Sequence, residues 1–355
     1  MAHAGAWRRD GTLRGGLTSS TINPSMTYEK VPEHGIEILA GHWRRGETCD
    51  SVSCSAIRDE IFDKGVLAWY DVIITDPELA GTWLESKFGF SSVAVEHAVS
   101  RDLVSTFVEG EDSIYMSFSR VRTTKGDSEF MQVSVFLGLT SMITIHTEPS
   151  DTLQKWFEKW VHDPESVGPN AASLLENLMD EVLDDFHPVL DEIEAALDDL
   201  EVDIYEGRAI GPEEILGYKR RLIGMRRKVS PLRDLVNSLL RRDIKVIPPE
   251  EKPGFQDLYD HAIRLLERVE LLRDLLADLM DARITVLSNN LNMVMKTLTI
   301  ISTMLMTIGV FTGWYGMNFK HMPELASPLA YGALPVLIAI VLALEYWFFK
   351  RKGWV

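Results

Sequence analysis

The side chains with the clearest chemical potential lie toward the carboxyl end of this 355-residue chain. Polar, apolar and small residues recur there at steps of three or four, which places them close to one face of a helix. The residues on this face are Asn292, Met295, Leu298, Thr299, Ser302, Met306, Gly309 and Gly313. Neutral amide and hydroxyl groups can hydrogen-bond to water, including water held by a cation. Enzymatic chemistry is not expected, because the sequence contains no nucleophile motif, phosphate-binding loop or His/Cys metal cluster.

Two long uncharged stretches predict the helices that would position these side chains. Residues 297–319 and residues 325–344 contain no charged side chain. As a helix, each would measure about 30–35 Å, which is enough to cross a hydrocarbon core of about 30 Å. Only residues 320–324 separate them, so we expect a tight transmembrane hairpin. The alternative is a pair of buried helices in a soluble protein, but such helices usually carry a charged face.

Charge is distributed unevenly along the chain. Residues 1–281 have a net charge of −21, whereas residues 282–355 have a net charge of +4. Lys296 precedes the first stretch and three basic residues at 350–352 follow the second, which predicts that both termini lie in the cytoplasm. We therefore expect a multi-pass protein of the cell inner (plasma) membrane, in contact with lipid. The acidic body argues against nucleic-acid binding, which requires a basic face.

The sequence is predicted to divide into four segments. They are a disordered tail at residues 1–26, a cytoplasmic α/β domain at 27–165, a long-helix stalk at 166–290, and the transmembrane hairpin with a basic C-terminus at 291–355. In the α/β domain, β-rich runs with partial alternation predict a mixed or mainly antiparallel sheet. The predicted strands are 66–72, 113–121, 130–139 and 141–147, and the predicted helices are 77–88, 92–99 and 151–162.

The stalk is predicted to consist of three long helices with different charge. Residues 174–206 carry one apolar helical stripe in an acidic sequence, and Pro188 is expected to bend this helix. Residues 215–245 are basic, which predicts an antiparallel pair with complementary faces. From Gly254 a helical pattern runs to about Thr312 without an internal proline. We expect this third helix to continue into the membrane.

Several motifs resemble the CorA family of magnesium channels. The first uncharged stretch ends in Tyr315-Gly316-Met317-Asn318, and Met322-Pro323-Glu324-Leu325 follows. Val294-Met295-Lys296 and Leu298-Thr299-Ile300-Ile301 look like the inner-pore segment of that family, and Asp257-Leu258-Tyr259-Asp260-His261 also looks familial. The resemblance covers residues 170–355 well and the N-terminal domain weakly.

The resemblance implies an α+β cytoplasmic domain followed by long stalk helices and a two-helix transmembrane hairpin, assembled as a homopentameric funnel. It implies that Gly316, Met317 and Asn318 form the selectivity region, and that the face from Asn292 to Gly313 lines the pore. The implied ion is Mg²⁺, with Co²⁺, Ni²⁺ or Zn²⁺ as further permeant or bound ions. Magnesium sheds its water reluctantly, so a ring of neutral amides could bind the hydrated ion.

The resemblance also implies closure by cytoplasmic magnesium bound between neighbouring subunits. Asp257 matches the family's acid on the long helix, and Asp281 matches an acid ring near the inner mouth of the pore. The partner segment departs from the family pattern, because Glu96-His97 stands where members often have a Glu-Asp pair. Glu96 is therefore expected to serve a second regulatory site, since a histidine suits magnesium less well than an oxygen donor does.

Two other functions stay open. The chain could belong to the related zinc-transporting branch, which often has a different residue at the position of Met317. It could also be a membrane-anchored assembly subunit that does not conduct ions. Polar residues at Asn292, Thr299 and Asn318 argue against this second alternative.

Overall fold

A computed structural model gives the fold of residues 27–54, 57, 65–100, 105–110, 112–124, 127–208, 211–318, 322 and 330–354. The predicted disordered tail at residues 1–26 lies outside these described residues. Two units can be distinguished within the chain. The first comprises residues up to Phe186 together with Lys228–Leu265, and the second comprises His187–Arg227 together with the residues from Leu266 onward.

The first unit is built on a mixed β-sheet with eight strands among the described residues. The strands are β1 Glu29–Val31, β2 Ile36–Arg44, β3 Asp50–Ser51, β4 Val66–Ile74, β5 Thr106–Glu109, β6 Ser113–Thr124, β7 Asp127–Gly138 and β8 Ser141–His146. Their order is β1-β2-β4-β8-β7-β6-β5, and β3 pairs with β2 at the side of this path. Only β4 and β8 pair in parallel, with Tyr70 opposite Ile143. The predicted mixed or mainly antiparallel sheet is thus confirmed.

Helices cover both faces of this sheet. They are α1 Pro77–Phe88, α2 Ser92–Val99, α3 Asp151–His162, the short α4 Pro164–Val167 and α5 Ala171–Asp184. Neighbouring residues of β4 point to opposite sides, since side chains alternate along a strand. The ring of Trp69 lies 5.7 Å from that of Trp160 on α3, whereas Tyr70 belongs to the core cluster that includes Trp83 of α1 and Val95 of α2. The strand is therefore buried on both faces.

Three of these helices, α1, α2 and α3, agree with the predicted boundaries, and local capping explains this for α1 and α3. Asp76 precedes α1, and its carboxylate accepts hydrogen bonds from the backbone N–H groups of Glu78 and Leu79 at 3.1 and 3.2 Å. Gly89 ends the helix with a φ of 67°, a conformation that glycine adopts without steric cost. Ser150 caps α3 in the same way, accepting from Leu153 N–H at 3.2 Å.

The long helices are α6 His187–Tyr205, α7 Pro212–Arg241, α8 Lys252–Tyr315 and α9 Ala330–Arg351. The prediction of one bent helix at 174–206 was wrong, because the chain breaks between Asp184 and His187 into α5 and α6. Pro188 lies in the first turn of α6, where its missing N–H removes no helical hydrogen bond. The predicted third helix is confirmed as α8, whose 64 residues extend about 96 Å.

Ion pairs connect the helices of the second unit. Arg221 of α7 contacts Glu192 of α6 at 3.0 Å, which confirms the predicted pairing of the acidic and basic helices. Arg268 of α8 contacts both Asp191 and Glu194 of α6 at 2.5 Å. The acidic side chains of α6 therefore form ion pairs with both α7 and α8.

Two helices in the described part of the chain are long and apolar enough to cross a membrane. They are α8 and the segment Gly332–Arg351, which makes up most of α9. The predicted second span began at residue 325, but residues 325–329 lie outside the described residues, as does the connection between the spans apart from Met322. The apolar part of α8 is exposed in the single chain.

Candidate functional site

The carboxyl end of α8 places Gly316, Met317 and Asn318 directly beyond its last turn. The N–H of Gly316 donates to the carbonyl of Thr312 at 2.9 Å, which ends the regular helical bonding. A Cβ atom at position 316 would lie only 3.0 Å from that carbonyl oxygen. Glycine therefore allows the backbone to close tightly against the helix end. The side chain of Asn318 is exposed and makes no hydrogen bond to a described residue.

One face of α8 extends from this carboxyl end back along the helix to Asn292. All eight residues on the predicted face, Asn292 to Gly313, are exposed in the single chain. From Asn292 the steps to Met295, Thr299, Ser302, Met306, Gly309 and Gly313 are three and four in strict alternation. Such a heptad spacing keeps one seam directed at neighbouring helices. The face offers hydroxyl and amide groups together with methionine side chains, and no charge.

The opposite face of α8 is half-covered. It carries the residues Ile300, Thr303, Met304, Thr307, Phe311 and Tyr315. At 3.6 residues per turn, the mean directions of the two faces differ by about 140°. Thr307 on the half-covered face donates a hydrogen bond to the Glu345 carboxylate of α9 at 2.5 Å. The exposed face of α8 therefore points away from its contact with α9.

A second group of functional candidates is acidic and lies in the first unit. Asp257 is exposed on α8, as expected for an acid that meets a metal ion or another subunit. Burial raises the pKa of Glu176 on α5 above its ordinary value, and the charges of Asp180, Glu251 and Asp257 raise it further. Carboxylate oxygens are suitable ligands for magnesium. A divalent cation here would relieve the mutual repulsion of these acids.

We define the acidic cluster as Glu176, Asp180, Glu251 and Asp257. Other side chains already contact two of its members. Nδ1 of His261 lies 2.7 Å from the Asp180 carboxylate. The amide of Asn170 donates to Glu251 at 2.5 Å. Glu176 and Asp257 thus remain as the members of the cluster whose carboxylates have neither a hydrogen bond nor an ion pair in the described part of the chain.

Sequence reasoning identified Asp257 but missed the three other members of the cluster. The sequence contains only a partial signal for these other members. Asp180 lies on the acidic stretch that becomes α5, but nothing in the local pattern shows that it faces α8. A Cβ at Gly254 would lie 3.1 Å from Cδ of Glu176, so this glycine marks the close approach of α5 and α8.

Asp281 and Glu96 do not join the acidic cluster. Asp281 is exposed on α8 in the second unit, and its backbone carbonyl accepts a bond from the Thr285 hydroxyl at 3.0 Å. Glu96 is exposed on α2, and no described hydrogen bond or ion pair joins it to Asp257. No described hydrogen bond or ion pair joins the three predicted regulatory residues within one chain.

The sequence is similar to those of known transport proteins. The model of a family described as CorA-like Mg²⁺ transporter protein matches residues 64–351. The Bacillus subtilis protein YfjQ is 31% identical over 292 residues, which are 81% of this chain and 90% of that protein. The cobalt/magnesium transport protein CorA of Thermotoga maritima is 32% identical over 234 residues, 64% of this chain and 65% of that protein.

Two further similarities concern ion type and fold. The zinc transport protein ZntB of Pectobacterium carotovorum is 24% identical over 200 residues, 54% of this chain and 59% of that protein. The complete structure of the CorA magnesium transporter from Methanocaldococcus jannaschii matches with a TM-score of 0.75 at 20% identity. This match covers 90% of the present chain and 98% of that one.

Proposed function

The chain belongs to the CorA-like Mg²⁺ transporter family, a family of divalent cation transporters rather than enzymes, and we propose that it is a magnesium channel. In this proposal five copies surround a central pore. The first transmembrane span, the apolar part of α8, lines the pore, and α9 packs outside it. Hydrated Mg²⁺ is the conducted ion, and Co²⁺ and Ni²⁺ can follow the same path.

The observation that carries the proposal is the uncharged exposed face of α8 that ends at Gly316-Met317-Asn318. In a ring of five copies, the amides of Asn318 would contact the waters of a hydrated ion at the outer end. Magnesium keeps these waters in most protein sites. Neutral groups bind the ion less tightly than carboxylates would, so the ion can leave.

Deeper in the pore, the face alternates between polar and apolar rings. Asn292, Thr299 and Ser302 would contact water around the ion. Met295, Leu298 and Met306 would form narrow apolar rings, which can close a pore by excluding water. Both termini would lie in the cytoplasm, as the basic residues beside the spans indicate.

We further propose that cytoplasmic magnesium closes the channel at the acidic cluster around Asp257. Bound between neighbouring copies, the ion would hold the cytoplasmic units together. Without it, the carboxylates of Glu176 and Asp257 would repel each other and their neighbours. Asp281 would act near the inner mouth of the pore and Glu96 at a second site, as the family resemblance implies.

Zinc transport is the second candidate, and the similarity to ZntB favours it. The two functions differ in the ion that the pore admits rather than in its architecture. Met317 matches the middle residue of the tripeptide in the magnesium branch, which is why we place magnesium first.

Ion flux into liposomes tests both candidates. The full-length chain is reconstituted, and uptake of Mg²⁺, Co²⁺ and Zn²⁺ is followed with ion-sensitive dyes inside the liposomes. We expect saturable magnesium uptake above that of empty liposomes, inhibited by magnesium on the cytoplasmic side. Uptake of zinc without magnesium would favour the second candidate, and the absence of any uptake would contradict conduction.

A further inference from the structure

A single acidic side chain interrupts the apolar sequence of α9. Glu345 directly follows the uncharged stretch 325–344 and lies five residues before Lys350, about 7.5 Å along the helix, inside the candidate span Gly332–Arg351. Acidic side chains inside membranes are costly, and they usually face other protein elements and serve a function. The family resemblance assigns no role to Glu345, and the pore-lining face of α8 does not include it.

Thr307 is the α8 residue that contacts Glu345, and it behaves differently from the other threonines of that helix. Five threonines donate their hydroxyl to the backbone carbonyl four residues earlier: Thr285, Thr297, Thr299, Thr303 and Thr312. Thr307 instead donates to Oε1 of Glu345 at 2.5 Å. Its hydroxyl therefore serves the contact between the two spans rather than its own helix.

The second carboxylate oxygen of Glu345 is also informative. Oε2 is buried and has no hydrogen-bond partner among the described residues. No described Lys, Arg or His forms an ion pair with Glu345, so Thr307 is its sole polar partner in this part of the chain. Removing one partner of a buried hydrogen bond leaves the other group unsatisfied, so loss of the Thr307 hydroxyl would leave the Glu345 carboxylate without a polar partner in the described part of the chain.

We propose that Glu345 is a positioning residue that, through Thr307, fixes the rotation of α8 about its own axis. The proposal rests on the proposed function, in which the exposed face of α8 lines the pore. Thr307 lies on the half-covered side, so the bond holds the other side of the helix toward the pore. Without the bond, apolar contacts alone would hold the two spans, and they permit rotation more readily because they are not directional.

Paired variants separate this role from simple packing. Glu345→Leu and Thr307→Val each remove the bond but retain side-chain volume, whereas Glu345→Gln and Thr307→Ser can still form it. Thr303→Val is the matched control, because Thr303 lies one turn away on the same side and its hydroxyl bonds only within α8.

Two readouts are measured in each variant. The first is the magnesium concentration that half-inhibits flux. The second is the rate at which a water-soluble thiol reagent labels a cysteine introduced by Ser302→Cys. For this readout, Cys49 and Cys54 are replaced by Ser, so that position 302 carries the thiol that is labelled. Size-exclusion chromatography shows whether each variant still assembles like the unchanged chain.

We expect Glu345→Leu and Thr307→Val each to change both readouts by about fivefold, which is the effect of losing one hydrogen bond. The double variant should change them no further, since both substitutions remove the same bond. The Gln, Ser and Thr303→Val variants should stay within about twofold of the original. Equal effects of Thr303→Val and Thr307→Val, or no effect of Glu345→Leu, would overturn the proposal.

The labelling rate distinguishes a failure of this proposal from a failure of the proposed function. If the chain does not conduct, labelling at position 302 still reports whether the bond orients α8. If the chain conducts normally but Glu345→Leu changes neither the labelling rate nor the half-inhibiting magnesium concentration, only the positioning role is wrong.

Discussion

Nε2 of His146 lies 3.2 Å from the carboxylate of Asp71, and both side chains are buried between β8 and β4. The Tyr28 hydroxyl also donates to Asp71, at 2.5 Å, and the Thr144 hydroxyl donates to it as well. Burial by itself would raise the pKa of Asp71, but His146 and the hydrogen bonds outweigh it and lower this pKa below 3.8. Burial would likewise lower the pKa of His146, but Asp71 raises it above 6.5.

These opposite shifts predict a pH window for stability. Because the pKa of His146 is raised in the folded protein, it adds stability below about pH 6.5, and this stability disappears as pH rises through the pKa of the folded state. Because the pKa of Asp71 is lowered, it adds stability above about pH 3.8, and this stability disappears as pH falls through the pKa of the folded state. His146→Gln should lower the free energy of unfolding by about 3–5 kcal/mol within this window. The cost should shrink at higher pH. Denaturant titration of the full chain in detergent measures it.

The exposed His162 provides the control for this prediction. His162→Gln should change the unfolding free energy little at any pH. A cost of His146→Gln that stays constant from acid to alkaline pH would show that the pair is not charged in the folded protein.

Asn318→Ala should reduce magnesium uptake by liposomes to the level of empty ones, because the ring of amides at the outer end would be lost. Assembly should remain intact, since the side chain of Asn318 bonds to no described residue. Asn177→Ala is the matched control: its amide donates to the carbonyl of Ser173 on α5, at 2.9 Å, and is remote in sequence from the pore. Full uptake by the Asn318 variant would remove this residue from the selectivity region.

Asp257→Ala should weaken the protection that magnesium gives the cytoplasmic units against protease. The half-protecting concentration should rise about tenfold or more, the scale found when groups around a metal site are lost. Asp260→Ala is the control, because Asp260 lies on the same helix and accepts a bond from Gln256 at 3.0 Å. If both variants behave like the original chain, Asp257 does not sense magnesium.

Gly316→Ala should impair uptake, because the new Cβ would lie 3.0 Å from the carbonyl oxygen of Thr312. To accommodate the methyl group, the carbonyl and with it the end of α8 must shift by a few tenths of an ångström. Gly332→Ala on α9 is the control, since no atom of the described residues lies within 4 Å of its Cβ position. Equal uptake by the two variants would mean that the end of α8 tolerates a side chain.

Cys49 should react slowly with iodoacetamide in the folded chain. Burial raises the pKa of the Cys49 thiol to about 12, and the charge of Asp50 adds to the shift. Because the thiolate is the reactive form, alkylation near pH 8 should be about a thousandfold slower than in the unfolded chain. The rate is measured by mass spectrometry in a Cys54→Ser variant, with guanidinium as the control. Similar rates in both states would contradict the prediction.

Local signals predicted those elements whose boundaries depend on local bonding. Asp76 and Gly89 mark the ends of α1, and both can be recognised from residue type and position. The break between α5 and α6 could not be recognised, because the apolar stripe continues across it. Its position depends on Asp185, whose carboxylate accepts from Arg120 of β6 at 3.2 Å, a contact across 65 residues of sequence.

Strand β2 was missed for a related reason. Six of its nine residues are buried, and it contains Gly41, which is unfavourable in an isolated strand. A Cβ at Gly41 would lie 2.8 Å from the ring of Trp160 on α3. The glycine thus satisfies a contact that only the folded chain contains. The acidic cluster and the bond between Thr307 and Glu345 are further long-range contacts that no local pattern predicts.

The continuity of α8 also restricts how the chain can change length. Between Glu270, which pairs with Arg226 of α7 at 2.5 Å, and Asn292, where the exposed face begins, the helix has no break. One inserted residue in this interval would turn everything beyond it by about 100°, whereas seven would turn it by only about 20°. Insertions and deletions here should therefore be tolerated in whole heptads. The length of this part of the protein is thus expected to change during evolution in steps of seven residues.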